Sequence, residues 1–241
     1  MGGPKQPLPK NWPEGFPYLT SPAYSPSLTK AQLQSCRTKP PATDEVLREI
    51  SRDLKLGPCS LVKITPITDT RHPACGQSGL FAARPLPPGS LILPYLGEYH
   101  QADSAAHVSS DYDLWLDRDA GVAVDAARMG NEARFVNDYR GVPGAVKANA
   151  EFCEVWDLRR GEKGMAVFVL PVGKKAKGKG GGIARGEEIL ISYGKGFWSE
   201  RRGRFKRRRV RLRLRVKVKV KVRCRHEVSS PRRTTYCCAS S

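Results

Sequence analysis

The sequence predicts a mostly β fold of the α+β class, built from several small sheets. Three observations carry that prediction. Short runs rich in Val, Ile, Leu and aromatic residues follow one another closely after residue 57, each bounded by Gly, Pro or polar clusters. A helical period is clear in one place, before residue 58. The 241 residues suit one domain with extensions or at most two small domains.

Taken in order, residues 1–43 are rich in Pro, Ser and Thr, which predicts an extended flexible arm. Residues 44–57 predict a helix. Thr43 or Asp44 caps it, Val46, Leu47, Ile50 and Leu54 share one face, and Gly57 follows its end. Residues 58–198 then read as the β domain. "SLVKITPIT" is a short strand. "SGLFAARPLPPGSLILPYLGEYH" is two strands around the turn at Pro87-Pro88-Gly89, the second running from Leu91 to Leu96. "DYDLWLD", "GVAVDA", "EFCEVWD", "MAVFVLPV" and "EEILISYG" are further strands, and "GKKAKGKGGGIARGEE" is a flexible basic loop. "GNEARFVNDYRG", residues 130–141, is too polar for a core strand and too apolar at Phe135-Val136 for a free linker.

Residues 199–241 form a basic low-complexity tail. Of the net charge of +19, this tail carries most: residues 201–241 hold 17 Lys and Arg against Glu227 alone. Val210 to Val222 alternates apolar and basic residues strictly, as an amphipathic strand does. Like charges along one face oppose that strand, so a disordered tail, or one read from a short nucleotide repeat, is the expectation. Seven cysteines, irregularly spaced and without a CxxC pair, predict free thiols and no zinc cluster. The four His residues have no ligand spacing, so no metal is expected. No apolar run approaches the ~20 residues of a membrane helix. The expectation is a soluble protein of cytoplasm or nucleus, of unassigned oligomeric state, with no membrane partner.

Three stretches occur in a telling order: "GLFAARPLPPGSLILPYLGEY", "GNEARFVND" and "GEEILISYG". Together they resemble the SET-domain family of protein lysine methyltransferases, over roughly residues 58–198. The first resembles that family's Gly-x-Gly-Leu-Phe-Ala run with its following Pro-Gly turn and Tyr-x-Gly-Glu segment. The second resembles its RFINHS motif and the third its GEEL-x-x-x-Tyr motif. The chain resembles a fungal-type member without the Cys-rich segment that follows the domain in many relatives. The resemblance implies several small sheets around a pseudoknot-like core, in which the RFINHS-like segment is threaded beside the strand that leads to the Tyr. It also implies S-adenosyl-L-methionine as methyl donor on one face and a target lysine entering by a channel from the other.

Residue by residue, the resemblance assigns Tyr193 to orient the lysine amine, the alternative being an ordinary packed strand Tyr. Tyr95 stands where a second channel Tyr is often found, and Tyr112 near donor and substrate, or in the core. Ser78, Gly79 and Phe81 fall where backbone meets the donor's amino-acid end, although Gln77 replaces the first Gly of the pattern. Asn137 matches the Asn that holds that end, and Asp138 replaces the usual His, placing a negative charge near a cationic donor. Arg134 is included with these residues as a structural cation, paired with an acidic neighbour or the C-terminal strand. Ile191 occupies a position that borders the channel. Phe197 and Trp198 either cover the adenine and channel mouth or simply pack.

Methyl transfer to lysine needs a neutral amine, whereas a free lysine has a pKa near ~10.4. An apolar channel and an adjacent sulfonium both depress it. No metal and no covalent nucleophile are required. Three functions follow: a lysine methyltransferase acting on a histone or another basic protein with an exposed lysine; a silent SET-like binding module, suggested by Gln77 and Asp138; or a nucleic-acid-associated protein acting through its basic tail.

Overall fold

Backbone pairing, more than local propensity, decides where the elements lie. The computed structural model describes residues 7–41, 47–105, 107, 110–171 and 181–193. It is mostly β-strand in four small sheets, with very little helix. The described residues up to Ser192 belong to one unit, and Tyr193 begins the segment that follows.

The central sheet is built on a long antiparallel hairpin. Strand β10 (Ala150–Asp157) pairs with β11 (Glu162–Val169) over eight positions. Strand β5 (Leu91–Tyr95) joins the free edge of β11, and β2 (Arg48–Ile50) runs parallel to β10 on the other side. Strand β11 is buried at nearly every position, which is why "MAVFV" is a continuous apolar run rather than an alternating one. Ile50, Val155, Ala166 and Phe168 form a core cluster, with Leu54, Leu91 and Cys153 packed against it.

A second sheet orders β1 (Ala23–Tyr24), β6 (Glu98–Gln101), β8 (Val122–Asp125) and β7 (Asp113–Asp117). The third pairs β3 (Val62–Pro66) with β4 (Ser78–Ala82), so β4 and β5, although separated by one Pro-Gly turn, belong to different sheets. The fourth is a two-residue parallel ladder between β9 (Asn137–Asp138) and β12 (Leu190–Ile191). "EEILISYG" is thus regular strand at only two residues.

Two expectations are corrected. Residues 48–50 of the expected 44–57 helix form strand β2, and residues 42–46 lie outside those described. Ile50 is 2 % exposed and caps the central core, and a buried ladder on β10 outweighs a helical preference of a few tenths of a kcal/mol per residue. The arm over residues 1–43 is also structured where it is described. Leu19 donates to the Gly130 carbonyl at 2.7 Å, and β1 pairs in parallel with β6. Lys30–Cys36 forms helix α1, with Thr29 and Gln32 as a reciprocal capping box. The expected flexibility followed from proline content. Prolines also suit an extended strap, and Trp12, Phe16 and Tyr18 give this one apolar surface to bury. The basic tail, Phe197, Trp198 and most of the loop at 172–180 lie outside the described residues.

Candidate active site

The three stretches singled out in the sequence meet at one segment, Gly186–Ile191. Its first half lies antiparallel to β4: Gly186 donates to the Ala82 carbonyl at 2.8 Å, Ala82 to Glu187 at 2.9 Å, and Ile189 to Leu80 at 2.8 Å. Its second half is β12, parallel to β9, and Tyr139 donates to the Ile191 carbonyl at 3.0 Å. Asn149 staples the crossing. Its Nδ2 donates to the Glu188 carbonyl at 2.8 Å and its Oδ1 accepts from the Leu190 N–H at 2.8 Å.

Glu188 stands where β4 and β9 approach. Its Oε1 accepts from Asn137 Nδ2 at 2.9 Å, and its Oε2 meets His72 Nε2 at 3.1 Å. Asn137 Nδ2 also lies 3.5 Å from the Ser78 carbonyl. A Cβ on Gly79 would sit 2.5 Å from Glu188 Oε1 and 3.1 Å from Phe81 Cε2. A side chain here would displace the Glu188 carboxylate from its bond to Asn137. Ser78, Gly79, Phe81 and Asn137 are thus brought together, around two residues that the sequence did not single out. The second Glu of "GEE" was a visible clue to Glu188. His72 offered none.

Asp138 differs from expectation in its surroundings. Its side chain is 4 % exposed and its charge is met by Arg140, with Nη1 at 2.8 Å from Oδ2 and the Arg140 N–H at 2.8 Å from Oδ1. Arg140 Nη2 also donates to Ser192 Oγ at 3.2 Å. The negative charge that seemed a liability to a cationic donor is offset by this guanidinium.

Among the described residues, the acidic neighbour expected for Arg134 is not found, and this arginine faces no carboxylate. Its Nε donates to the Ala126 carbonyl at 3.0 Å, and its guanidinium lies 4.2 Å from the Phe16 ring centroid, 4.6 Å from Tyr112 and 5.0 Å from Phe135. It is a cation held among rings. Tyr95 is 3 % exposed, donates its hydroxyl to the Tyr112 carbonyl at 2.5 Å, and packs edge-on against Phe152. Tyr95, Tyr112 and Arg134 therefore form one continuous cluster. Ile191 is 1 % exposed and belongs to the core. Tyr193 lies two residues beyond it along the chain.

The other polar residues of "GNEARFVNDYRG" are ties. Asn131 bridges the Pro94 carbonyl and the Leu96 N–H, and Glu132 accepts from the Cys59 N–H at 2.8 Å and the Tyr18 hydroxyl at 2.9 Å. Burial and the Glu132 charge push the Tyr18 phenol well above its ordinary value, so it remains a donor. No group of three His, Cys, Asp or Glu among the described residues is placed to hold a metal ion. No helix among them is long and apolar enough to cross a membrane.

No family model and no curated protein matches the sequence. Among solved structures, the chain is similar to the Chaetomium thermophilum polycomb repressive complex 2, at 23 % identity with a TM-score of 0.41 over 57 % of this chain. The same complex bound to GSK126 gives 22 % identity and a TM-score of 0.43 over 59 %. A humanized mutant of it bound to the inhibitor GSK343 gives 24 % and 0.42 over 56 %. The matched region spans 16 %, 17 % and 15 % of those chains, respectively.

Proposed function

We propose that the chain is an S-adenosylmethionine-dependent protein lysine N-methyltransferase with a SET domain over roughly residues 58–198, acting on a histone or another basic protein. One observation carries the reading. A single segment, Gly186–Ile191, hydrogen-bonds β4 in its first half and β9 in its second, and so gathers three motifs distant in sequence.

The residues fit the donor's charge. Glu188 supplies a buried carboxylate, Asn137 Oδ1 is an acceptor beside it, and the Asp138 charge is already matched by Arg140. When bound, S-adenosylmethionine supplies a methyl group on a sulfonium. Asn137 and the backbone at Ser78 hold the amino-acid end. Tyr193 accepts or donates a hydrogen bond at the lysine amine and aligns its lone pair, and burial of the lysine beside the sulfonium favours the neutral amine.

The test uses the full chain, because the arm is part of the fold. Calorimetry should show one equivalent of S-adenosylmethionine bound, and a radiolabelled donor should label a histone mixture. Tyr193→Phe should lower transfer by about 10²-fold while leaving donor binding nearly intact. Absence of donor binding by the wild type would remove the reading. Binding without transfer to any basic protein would make the chain a binding module instead.

A further inference from the structure

We infer that His72 is a positioning residue, which acts through Glu188 to fix the orientation of the Asn137 amide. The use made of that amide rests on the function proposed above; the relay itself does not.

The argument begins with the tautomer. The Ala74 N–H donates to His72 Nδ1 at 3.0 Å, so that nitrogen carries a lone pair. In the neutral ring the proton is then on Nε2, which lies 3.1 Å from Glu188 Oε2 and donates to it. The imidazole and the carboxylate side chains are 6 % and 9 % exposed, so little water competes. With Oε2 so engaged, Oε1 faces Asn137 Nδ2 at 2.9 Å.

The second step concerns the amide. Both groups that Asn137 Nδ2 meets, the carboxylate of Glu188 and the Ser78 carbonyl, are acceptors. The amide must therefore present its NH₂ to them, which leaves Oδ1 as a fixed acceptor on the other side. An acceptor held in place suits the ammonium of an amino-acid moiety, and a flipped amide would present N–H to a cation.

The third step concerns the loop. His72 sits in a tight turn system: its N–H donates to Asp69, Cys75 donates to His72, and Gln77 to Ala74. This loop leads directly into β4. The histidine anchors the approach to Ser78 and Gly79 from one side.

The experiment compares His72→Ala and His72→Gln in the full chain, Gln retaining a side-chain N–H donor. Two readouts are taken well below the unfolding midpoint of each variant. Proton exchange of the Asn137 side-chain amide, followed by NMR without any ligand, reports the relay. Calorimetry with S-adenosylmethionine reports its use. His72→Ala should speed Asn137 amide exchange and weaken donor binding roughly 10-fold, as loss of a hydrogen bond to a charged group does. His72→Gln should recover most of both. An unchanged Asn137 amide in His72→Ala overturns the inference. So does a Gln variant as impaired as the Ala variant, whereas a changed amide with undiminished donor affinity keeps the relay and overturns its use in donor binding. If the wild type binds no donor but the amide responds as expected, the positioning role stands and the proposed function falls.

Discussion

His100 and Asp117 show how single buried charges tie this structure to pH. His100 is fully buried in β6, stacked on His107 at 3.6 Å, and its Nε2 meets Asp113 at 2.9 Å. Burial alone lowers its pKa, but the bonds to Asp113 and the Gln101 carbonyl, with the charges of Asp113 and Asp125, raise it above the usual 6.5. His107 in turn meets Asp125 at 2.7 Å and Glu98 at 3.9 Å. Asp117 behaves oppositely. Burial pushes it up, and the bonds from Lys163, the Ala120 N–H and Ser35 pull it below the usual 3.8. The signs follow from linkage. The His100 contribution is complete below 6.5 and is lost as pH rises through its folded value. The Asp117 contribution is complete above 3.8 and is lost as pH falls through its folded value. Thermal unfolding against pH should therefore peak between about 4 and 6.5. His100→Gln should flatten the alkaline side and Asp117→Asn the acid side. A profile unmoved by either change would refute the assignment.

At the scale of elements, the N-terminal strap is the main surprise. Trp12 packs edge-on against Phe16, Tyr18 and Phe135, and Tyr18 reaches Glu132. Farther along, Tyr24 donates to Glu162 at 2.6 Å and Ser35 to Asp117 at 2.8 Å. These tyrosines meet carboxylates that are 2 % exposed in both cases, so removal of a hydroxyl leaves a buried oxygen short of a donor. Tyr18→Phe should cost about 1–3 kcal/mol in urea unfolding, with the slope against denaturant unchanged. A loss below a few tenths of a kcal/mol would mean that water replaces the phenol. The strap was illegible because composition averages over a window. Its prolines and serines outweighed the three rings that dock it. The helix expected over residues 44–57 failed for a related reason: Ile50 gains more from the core beneath β10 than from helical neighbours.

Across the whole molecule, what was legible is what is local. Short apolar runs and turn residues located β3, β4, β5, β7, β8, β10 and β11, because adjacent residues create those patterns. Motif order brought Ser78, Gly79, Phe81 and Asn137 into view. Pairings across the chain left no local trace: His72 and Glu188 are 116 residues apart. Arg134 was legible as structural, but its rings were not, since Phe16 and Tyr112 come from other elements. The same non-locality governs speed. Tyr18 and Glu132 are 114 residues apart, and Tyr24 and Glu162 are 138 apart. Such pairings are slow to find. Refolding by stopped-flow should take longer than about a millisecond, and a submillisecond single phase would contradict the topology.

The segment at Gly186–Ile191 also sets a schedule during synthesis. It hydrogen-bonds β4, which leaves the ribosome far earlier. At roughly 5–20 residues per second, β4 waits on the order of ten seconds for its outer partner. Through that interval one edge of β4 offers unpaired N–H and C=O groups to any other strand nearby. The nascent chain is thus exposed to mispairing at β4 until this segment emerges, and slower translation over residues 83–185 lengthens that exposure.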